Sequence, residues 1–287
     1  MLNTIRENIE RRLGISSREV KTRETALIEN SSTIAGRYRG WRANENLTNY
    51  PFVENINAPF APMRRALPML NLALISSAGA YIDGTSPFDI EARDGDASYK
   101  EIPIEVEAAD LLYAARGYDT TAVLQDMNAQ IPVERLLEYE ANGVIGKLNN
   151  VWWSLNGWIP NAQTVAEQLA PQIAERVARY EVQAALLIPA SRLCHQTLGI
   201  VARALEKANV PTMMLSVDRA MTDLVRPPRA AYYTGELGAV AGRPNHKQYQ
   251  LRVLDESLRW IETFDQPAAK RLIVNLETEV EEERGEQ

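Results

Sequence analysis

Cysteine and histidine are almost missing from this chain. Its 287 residues include one cysteine, Cys194, and two histidines, His195 and His246. One cysteine excludes an intrachain disulfide, a CxxC redox pair and a cysteine-rich metal cage. With so few imidazoles a classical zinc site lacks ligands, so no metal is expected. No Walker loop or GxGxxG fingerprint occurs, and Gly235, Gly238 and Gly242 have the wrong spacing for either, so no cofactor is expected. Positive charge is in deficit, with Lys plus Arg 31 against Asp plus Glu 38, a net charge of −7. Non-specific nucleic-acid binding needs clustered positive charge, so no nucleic-acid partner is expected. No run approaches the roughly 18 apolar residues of a membrane span. The opening MLNTIRENIERRLG alternates charge with isolated apolar residues and does not read as a signal peptide. A cytoplasmic protein with no membrane partner is the expectation. What is present, 45% apolar and 24% charged residues, is an ordinary globular composition.

Hydrophobic spacing divides the chain into four segments. Residues 1–64 hold a helix stripe (Leu2, Ile5, Ile9, Leu13) and a loop in which Tyr38, Trp41, Tyr50, Phe52 and Phe60 sit among Asn, Pro and Gly. Such a loop packs over a core, or acts as a lid. Residues 65–159 read as a first α/β lobe. LNLALI at 70–75 is a buried strand ending in Ser76, Ser77 and Gly79; 82–98 is a polar loop; 110–114 is a strand. Pro132–Asn142 is a helix stopped by Gly143, and 144–153 is a strand turning into a loop. Residues 160–265 read as a second lobe. Here 161–180 is a helix bent at Pro171, AALLI at 184–188 a strand, 194–208 a helix and PTMMLSV at 211–217 the next strand. Residues 226–246 look like loop, and Leu251, Leu254, Leu258 and Ile261 set a helix stripe. Residues 266–287 are expected to add a helix over 267–279 and an acidic tail. The fold class is α/β, with mainly parallel sheets in two Rossmann-like lobes facing a cleft.

The turn Pro189–His195 offers the most chemistry. It joins a buried strand to a helix, and a helix N-terminus carries free N–H groups and partial positive charge that attract anions. That field lowers a thiol's pKa, and Arg192 adds to it if turned inward. Two readings of Cys194 stay open, a thiolate nucleophile and a small buried apolar group. His195 follows it directly, and adjacent helix residues diverge by about 100°, so the two do not pair as nucleophile and base. A surface or capping histidine is expected. Ser191 lies outside any GxSxG elbow. The acidic loop with Asp83, Asp89, Glu91, Asp94 and Asp96 fails the calcium-loop pattern and reads as solvated. Trp152, Trp153 and Trp158 read as core or cleft wall.

Several segments together resemble the selenoprotein B family, the substrate-cleaving subunits of glycine, sarcosine and betaine reductases and of D-proline reductase. They are LALISSAGAY at 72–81, PFD at 87–89, GDASYKEIP at 95–103, GYD at 117–119, DMNAQIPVERLLEYEANGVIG at 126–146, LLIPASRLCHQTLGIVARALEKANVPT at 186–212 and the stretch from PPRA to GRP at 227–244. The resemblance covers about residues 65–265. It implies a redox pair in which a selenocysteine or cysteine after the strand is followed three residues later by a cysteine. A soft nucleophile of that kind displaces an activated amine and its partner resolves the adduct. Ser191 takes the first position here and Cys194 the second. Serine cannot cycle through a dichalcogenide. Ala115 and Thr120 stand where the resemblance leads one to expect histidines.

The resemblance implies a reductase-like enzyme for a small amino-acid-like or carboxylate substrate, with electrons from an external thiol or a partner subunit. Cys194 and Ser191 are its catalytic candidates, and Ser76, Ser77, Gly79, Arg192 and Asp119 its substrate-binding candidates. Two alternatives stand beside it: a non-redox lyase, isomerase or hydrolase on the same scaffold, and a non-catalytic subunit of a larger complex or homo-oligomer.

Overall fold

The computed structural model describes residues 47, 50–53, 55 and 57–274. The chain divides into two compact units, Met1–Pro51 and Phe52–Gln287. The Leu2–Leu13 stripe, Tyr38 and Trp41, and the acidic tail lie outside the described residues.

The strands of the second unit are β1 (Asn71–Ser76), β2 (Ala80–Ile82), β3 (Tyr99–Pro103), β4 (Leu111–Tyr113), β5 (Lys147–Leu148), β6 (Val151–Leu155), β7 (Ala184–Ile188), β8 (Thr212–Ser216), β9 (Arg229–Tyr232) and β10 (Ala268–Arg271). Eight of them form one sheet in the order β10-β9-β8-β7-β1-β6-β3, with β5 also on β1. Every pairing in it is parallel except β3 with β6. Strands of both expected lobes therefore share one sheet, and β1 pairs directly with β7 over Leu72–Ser76. β2 and β4 make a separate antiparallel ribbon.

Sequence explains the centre of this sheet well. β1, β7 and β8 are buried at every residue. Covered on both faces, such strands read as unbroken apolar runs. Leu72, Leu74, Leu186 and Met213 share a core with Leu136 and with Val253, Leu254 and Leu258. Those residues lie on α2 (Val133–Ala141) and α6 (Lys247–Thr263). Pro132 caps α2 at its start, and Gly143 follows its end at φ +69°. The stretch 161–180 is helical, ending in α3 (Ala170–Arg179). A π turn over Val165–Leu169 ends two residues before Pro171, whose missing N–H cannot close a regular α turn. Next come α4 (Arg192–Lys207) and α5 (Arg219–Val225), and the short α1 (Thr121–Gln125) precedes α2. Gly199 lets α4 and α5 approach, because a Cβ there would meet Val225 at 2.4 Å.

Three expectations are corrected. In the stretch 267–279, expected to be helix, Ala268–Arg271 is instead strand β10, whose backbone pairs with Arg229–Tyr232, and the residues after 274 lie outside the described residues. The stretch 226–246 contains β9, hidden because Arg229 reads as a solvated residue yet is fully buried against Glu206. In 144–153 the order is reversed: a two-residue strand and the Asn149-Asn150 break precede β6.

Candidate functional site

From β1 the chain runs to β6 on one side, returns across β1 to β7, and continues outward to β10. The β1/β7 boundary is thus a topological switch point, where open parallel sheets bind ligands outside the strands' carboxyl ends. Ser77 and the Pro189–Cys194 turn meet there. Ser77 N–H donates to Ile188 O at 3.2 Å. Ala190 N–H donates to Ser77 Oγ at 3.0 Å.

Ser191 caps α4, its Oγ accepting from Cys194 N–H at 3.3 Å. The same hydroxyl donates to Cys194 Sγ at 2.9 Å. The thiol lies 3.8 Å from the carbonyl oxygens of both Ser77 and Asn156. Ser77, Ser191 and Cys194 have no solvent exposure. Burial pushes the Cys194 thiol up, outweighing the hydrogen bonds from Ser191 and Ser77 that pull it down. The helix N-terminus was expected to favour thiolate; desolvation is the larger effect and keeps the group a neutral thiol.

His195 turns away from Cys194, as helix geometry requires, but it is fully buried rather than at the surface. Its Nδ1 meets Ser191 O at 2.7 Å and its Nε2 meets Ser216 Oγ at 2.8 Å. A carbonyl only accepts, so Nδ1 carries the proton and Nε2 accepts from the serine hydroxyl. Burial pulls the imidazole down to about 4. It is a neutral strut between α4 and β8.

The other expected residues are more scattered. Arg192 points outward, half exposed, and pairs with Asp218 at 3.0 Å. Asp119 is exposed and accepts from Thr121 N–H and Oγ1–H at 2.8 and 2.7 Å. The Thr121 hydroxyl holds its carboxyl below the usual range. Gly79 is a joint: at φ +68° a Cβ would stand 2.4 Å from Ala114 O. Its N–H donates to Leu155 O and its carbonyl accepts from Ala114 N–H. Ser76 is buried on β1, on the sheet face opposite Ser77.

Sequence reasoning did not assign Gly157, Thr197 and Tyr118 to the site. A Cβ at Gly157, φ +73°, would stand 2.6 Å from Cys194 Sγ and 2.5 Å from Ser77 Cβ. Thr197 Oγ1–H donates to Gly157 O at 2.8 Å, holding the turn over the thiol. The Asn156-Gly157 pair is itself a turn signal. Tyr118 O–H donates to Ala78 O at 2.6 Å, and burial together with the neighbouring Cys194 and Tyr113 pushes its phenol far up. Trp152, Trp153 and Trp158 are all buried. Among the described residues, no three His, Cys, Asp or Glu side chains gather where a metal ion could be held, and no helix is long and apolar enough to cross a membrane.

Residues 41–190 match the family model of the glycine/sarcosine/betaine reductase selenoprotein B. The D-proline reductase subunit gamma of Acetoanaerobium sticklandii is 27% identical over 217 residues, 75% of this chain and 86% of that protein. The glycine reductase complex component B subunit gamma of Symbiobacterium thermophilum is 29% identical over 172 residues, 58% of this chain but 39% of that protein. The sarcosine reductase complex component B subunit beta of Peptoclostridium acidaminophilum is 24% identical over 176 residues, again 39% of its length. The chain thus spans well under half of the glycine and sarcosine reductase subunits it matches. No solved structure matches the chain.

Proposed function

This chain belongs to the glycine/sarcosine/betaine reductase selenoprotein B family, and from that premise we propose that it is a component of a reductase complex acting on a small amino-acid-like or carboxylate substrate. The observation that carries the reading is the Ser191–Cys194 contact, 2.9 Å long, at the switch point of the sheet. It has the position and closeness of a redox pair, with oxygen at the first place.

Oxygen there changes the chemistry. Reductive C–N cleavage needs two electrons and two protons: the bond breaks, carbon gains hydrogen and the amine leaves protonated. A selenium–sulfur or disulfide pair delivers those electrons by becoming oxidised. Serine and cysteine cannot close such a bond, so the electrons come from an external thiol or a partner subunit, which becomes a disulfide. In this reading Ser191 holds the thiol in place and Cys194 faces the substrate once the covering turn at Gly157 moves.

A specific observation favours a second reading, a non-catalytic subunit: the thiol is buried and kept neutral, and Arg192 faces Asp218 rather than the thiol. One assay separates the two. Amine release from glycine, sarcosine, betaine and D-proline is followed with dithiothreitol as reductant, using the chain purified with its native partners. The catalytic reading expects Cys194→Ala to lower turnover at least tenfold. Unchanged turnover in that variant moves the chain to the non-catalytic reading.

A further inference from the structure

The Cys194 thiol is enclosed by Ser77, Ser191, Asn156 and Gly157. Ser77 directly follows β1 and Ser191 caps α4, so both are fixed to the frame of the sheet and its helix. Asn156 and Gly157 follow β6 in an irregular turn. Of these groups, only the turn can withdraw without disrupting a strand or a helix. It is a compact body: Ile159 N–H donates to Gly157 O at 3.0 Å, and Trp158 N–H to Asn156 Oδ1 at 3.3 Å.

Three glycines distant in sequence converge on this turn. Gly95, Gly117 and Gly157 have φ of +82°, +80° and +73°. Gly157 lies against the thiol on the inside. On the outside, a Cβ at Gly117 would stand 2.1 Å from the Trp158 ring. A Cβ at Gly95 would stand 2.6 Å from Ile159 Cα and 2.8 Å from Trp158 O. Each layer thus lies on the next at a distance that only glycine allows. Arg116 completes the stack. Its guanidinium lies over the Trp158 ring, 5.5 Å from the centroid, and donates to Ile90 O at 2.6 Å. The loop that carries Ile90 and Gly95 is braced in turn. Asp96 accepts from the N–H groups of Asp89 and Ser98, and Lys100 donates to Ser86 O while lying 4.7 Å over the Phe88 ring. Trp158 is buried, whereas Gly117 against it is exposed, so the indole is the last layer beneath the surface.

We infer that residues 156–159 are a plug over the thiol and that Trp158, held by Gly117 and Arg116, is its latch. When the indole leaves Gly117 the turn lifts from Thr197 and Ser77 and opens Cys194. This deepens the proposed function and rests on it for its purpose, because a catalytic thiol with no solvent exposure needs a way out. Access to the site is then regulated by the segment 116–117 and the braced loop before it, neither of which touches the thiol.

Cys194 is the only cysteine of the chain, so the rate of its labelling by iodoacetamide in the full chain reads the opening directly. The rate is measured in increasing urea below the unfolding transition, with the unfolding midpoint of each variant in parallel. Wild type should label slowly, with a rate that hardly changes with urea, because lifting one turn exposes little surface. Trp158→Ala, which removes the latch, and Gly117→Ala, which pushes it aside, should each label at least tenfold faster. Arg116→Gln, which removes only the cation over the ring, should label about three- to fivefold faster. Fast labelling of the wild type overturns the plug. So does a wild-type rate that climbs with urea as steeply as global unfolding, since the thiol is then reached only through the unfolded chain. Variant rates that stay at the wild-type value, or rise only in step with a lowered unfolding midpoint, overturn the latch. Labelling is read without substrate, so each result stands apart from the loss or survival of amine release in Cys194→Ala.

Discussion

At the carboxyl end of α4, Glu206 and Arg229 form a fully buried ion pair; at its amino end, Ser191, Cys194 and His195 are just as buried and carry no charge. The ion pair is surrounded by partners. Glu206 accepts from Thr212 N–H and Oγ1–H, each at 2.8 Å, and from Ala61 N–H. Arg229 also donates to Ala61 O and lies over the Phe60 ring at 3.8 Å. Charge survives burial only when nearly every donor and acceptor is used. The amino end takes the other route, since neutral groups need fewer bonds. Its thiol is held by one short contact and two long ones, which leaves it less firmly fixed than the ion pair. The same helix thus anchors the fold at one end and presents the candidate site at the other.

The contrast can be broken most severely at the ion pair. Arg229→Met leaves Glu206 buried without its counter-charge and should lower unfolding free energy by about 3–5 kcal/mol in urea titrations. The double variant Glu206→Leu/Arg229→Met should recover a large part of that loss. A single substitution as mild as a surface change would mean that the pair is not buried as described.

The amino end should show itself through pH. His195 stays neutral in the folded chain down to about pH 4, whereas an unfolded chain protonates it near 6.5. Between those values only the unfolded state holds the extra proton, so stability falls as pH drops through that window. About 3 kcal/mol is expected for the full range. In His195→Gln this component should vanish from the difference between unfolding curves at pH 7 and pH 4. Wild type and variant losing the same amount would show that the imidazole is not buried neutral.

Gly157→Ala comes next. It adds a Cβ at positive φ that would press on Ser77 and on the Cys194 sulfur, costing about 1–3 kcal/mol. It should also increase the rate of thiol labelling by iodoacetamide, because the turn over Cys194 must shift. Slow labelling in the wild type and fast labelling in this variant is the expected pair of results. The smallest effect is Ser191→Ala, which removes the α4 cap at about 1 kcal/mol. Ser191→Cys sharpens the comparison further. With the present Oγ–Sγ contact at 2.9 Å, a sulfur there should oxidise with Cys194 to a disulfide, seen as a two-hydrogen mass loss. A stable dithiol under oxidising conditions would argue against redox-pair geometry at this turn.

Particular residues show why some of this was legible beforehand. β1, β7 and β8 are continuous apolar runs, and α6 declares itself by Leu254, Leu258 and Ile261 at helical spacing, because burial of whole faces leaves a periodic trace. β9 left none: Arg229 breaks its apolar pattern, and its burial is made tolerable by distant partners, Glu206, 23 residues earlier, and Ala61 O. β10 reads Ala-Ala-Lys-Arg and is mostly exposed, so only pairing with β9 makes it a strand. At the site, the family resemblance names Ser191 and Cys194 as a pair, because it sets them at the two positions of its redox motif. Ser77 lies 117 residues from Cys194, and Asn156 lies 38 away. No local pattern announces either contact.

The sequence by itself determined the α/β class, the central parallel strands, the helix that follows the 184–188 strand and the absence of a second cysteine. Each of these depends on residue type and near-neighbour spacing. Tertiary structure alone decided that both halves share one sheet, that Arg192 faces Asp218 and that His195 is a buried strut. It also reversed the expected direction of the thiol's acidity. A helix N-terminus is a local feature that favours thiolate, but desolvation is set by everything packed around the sulfur, and here it is the larger of the two.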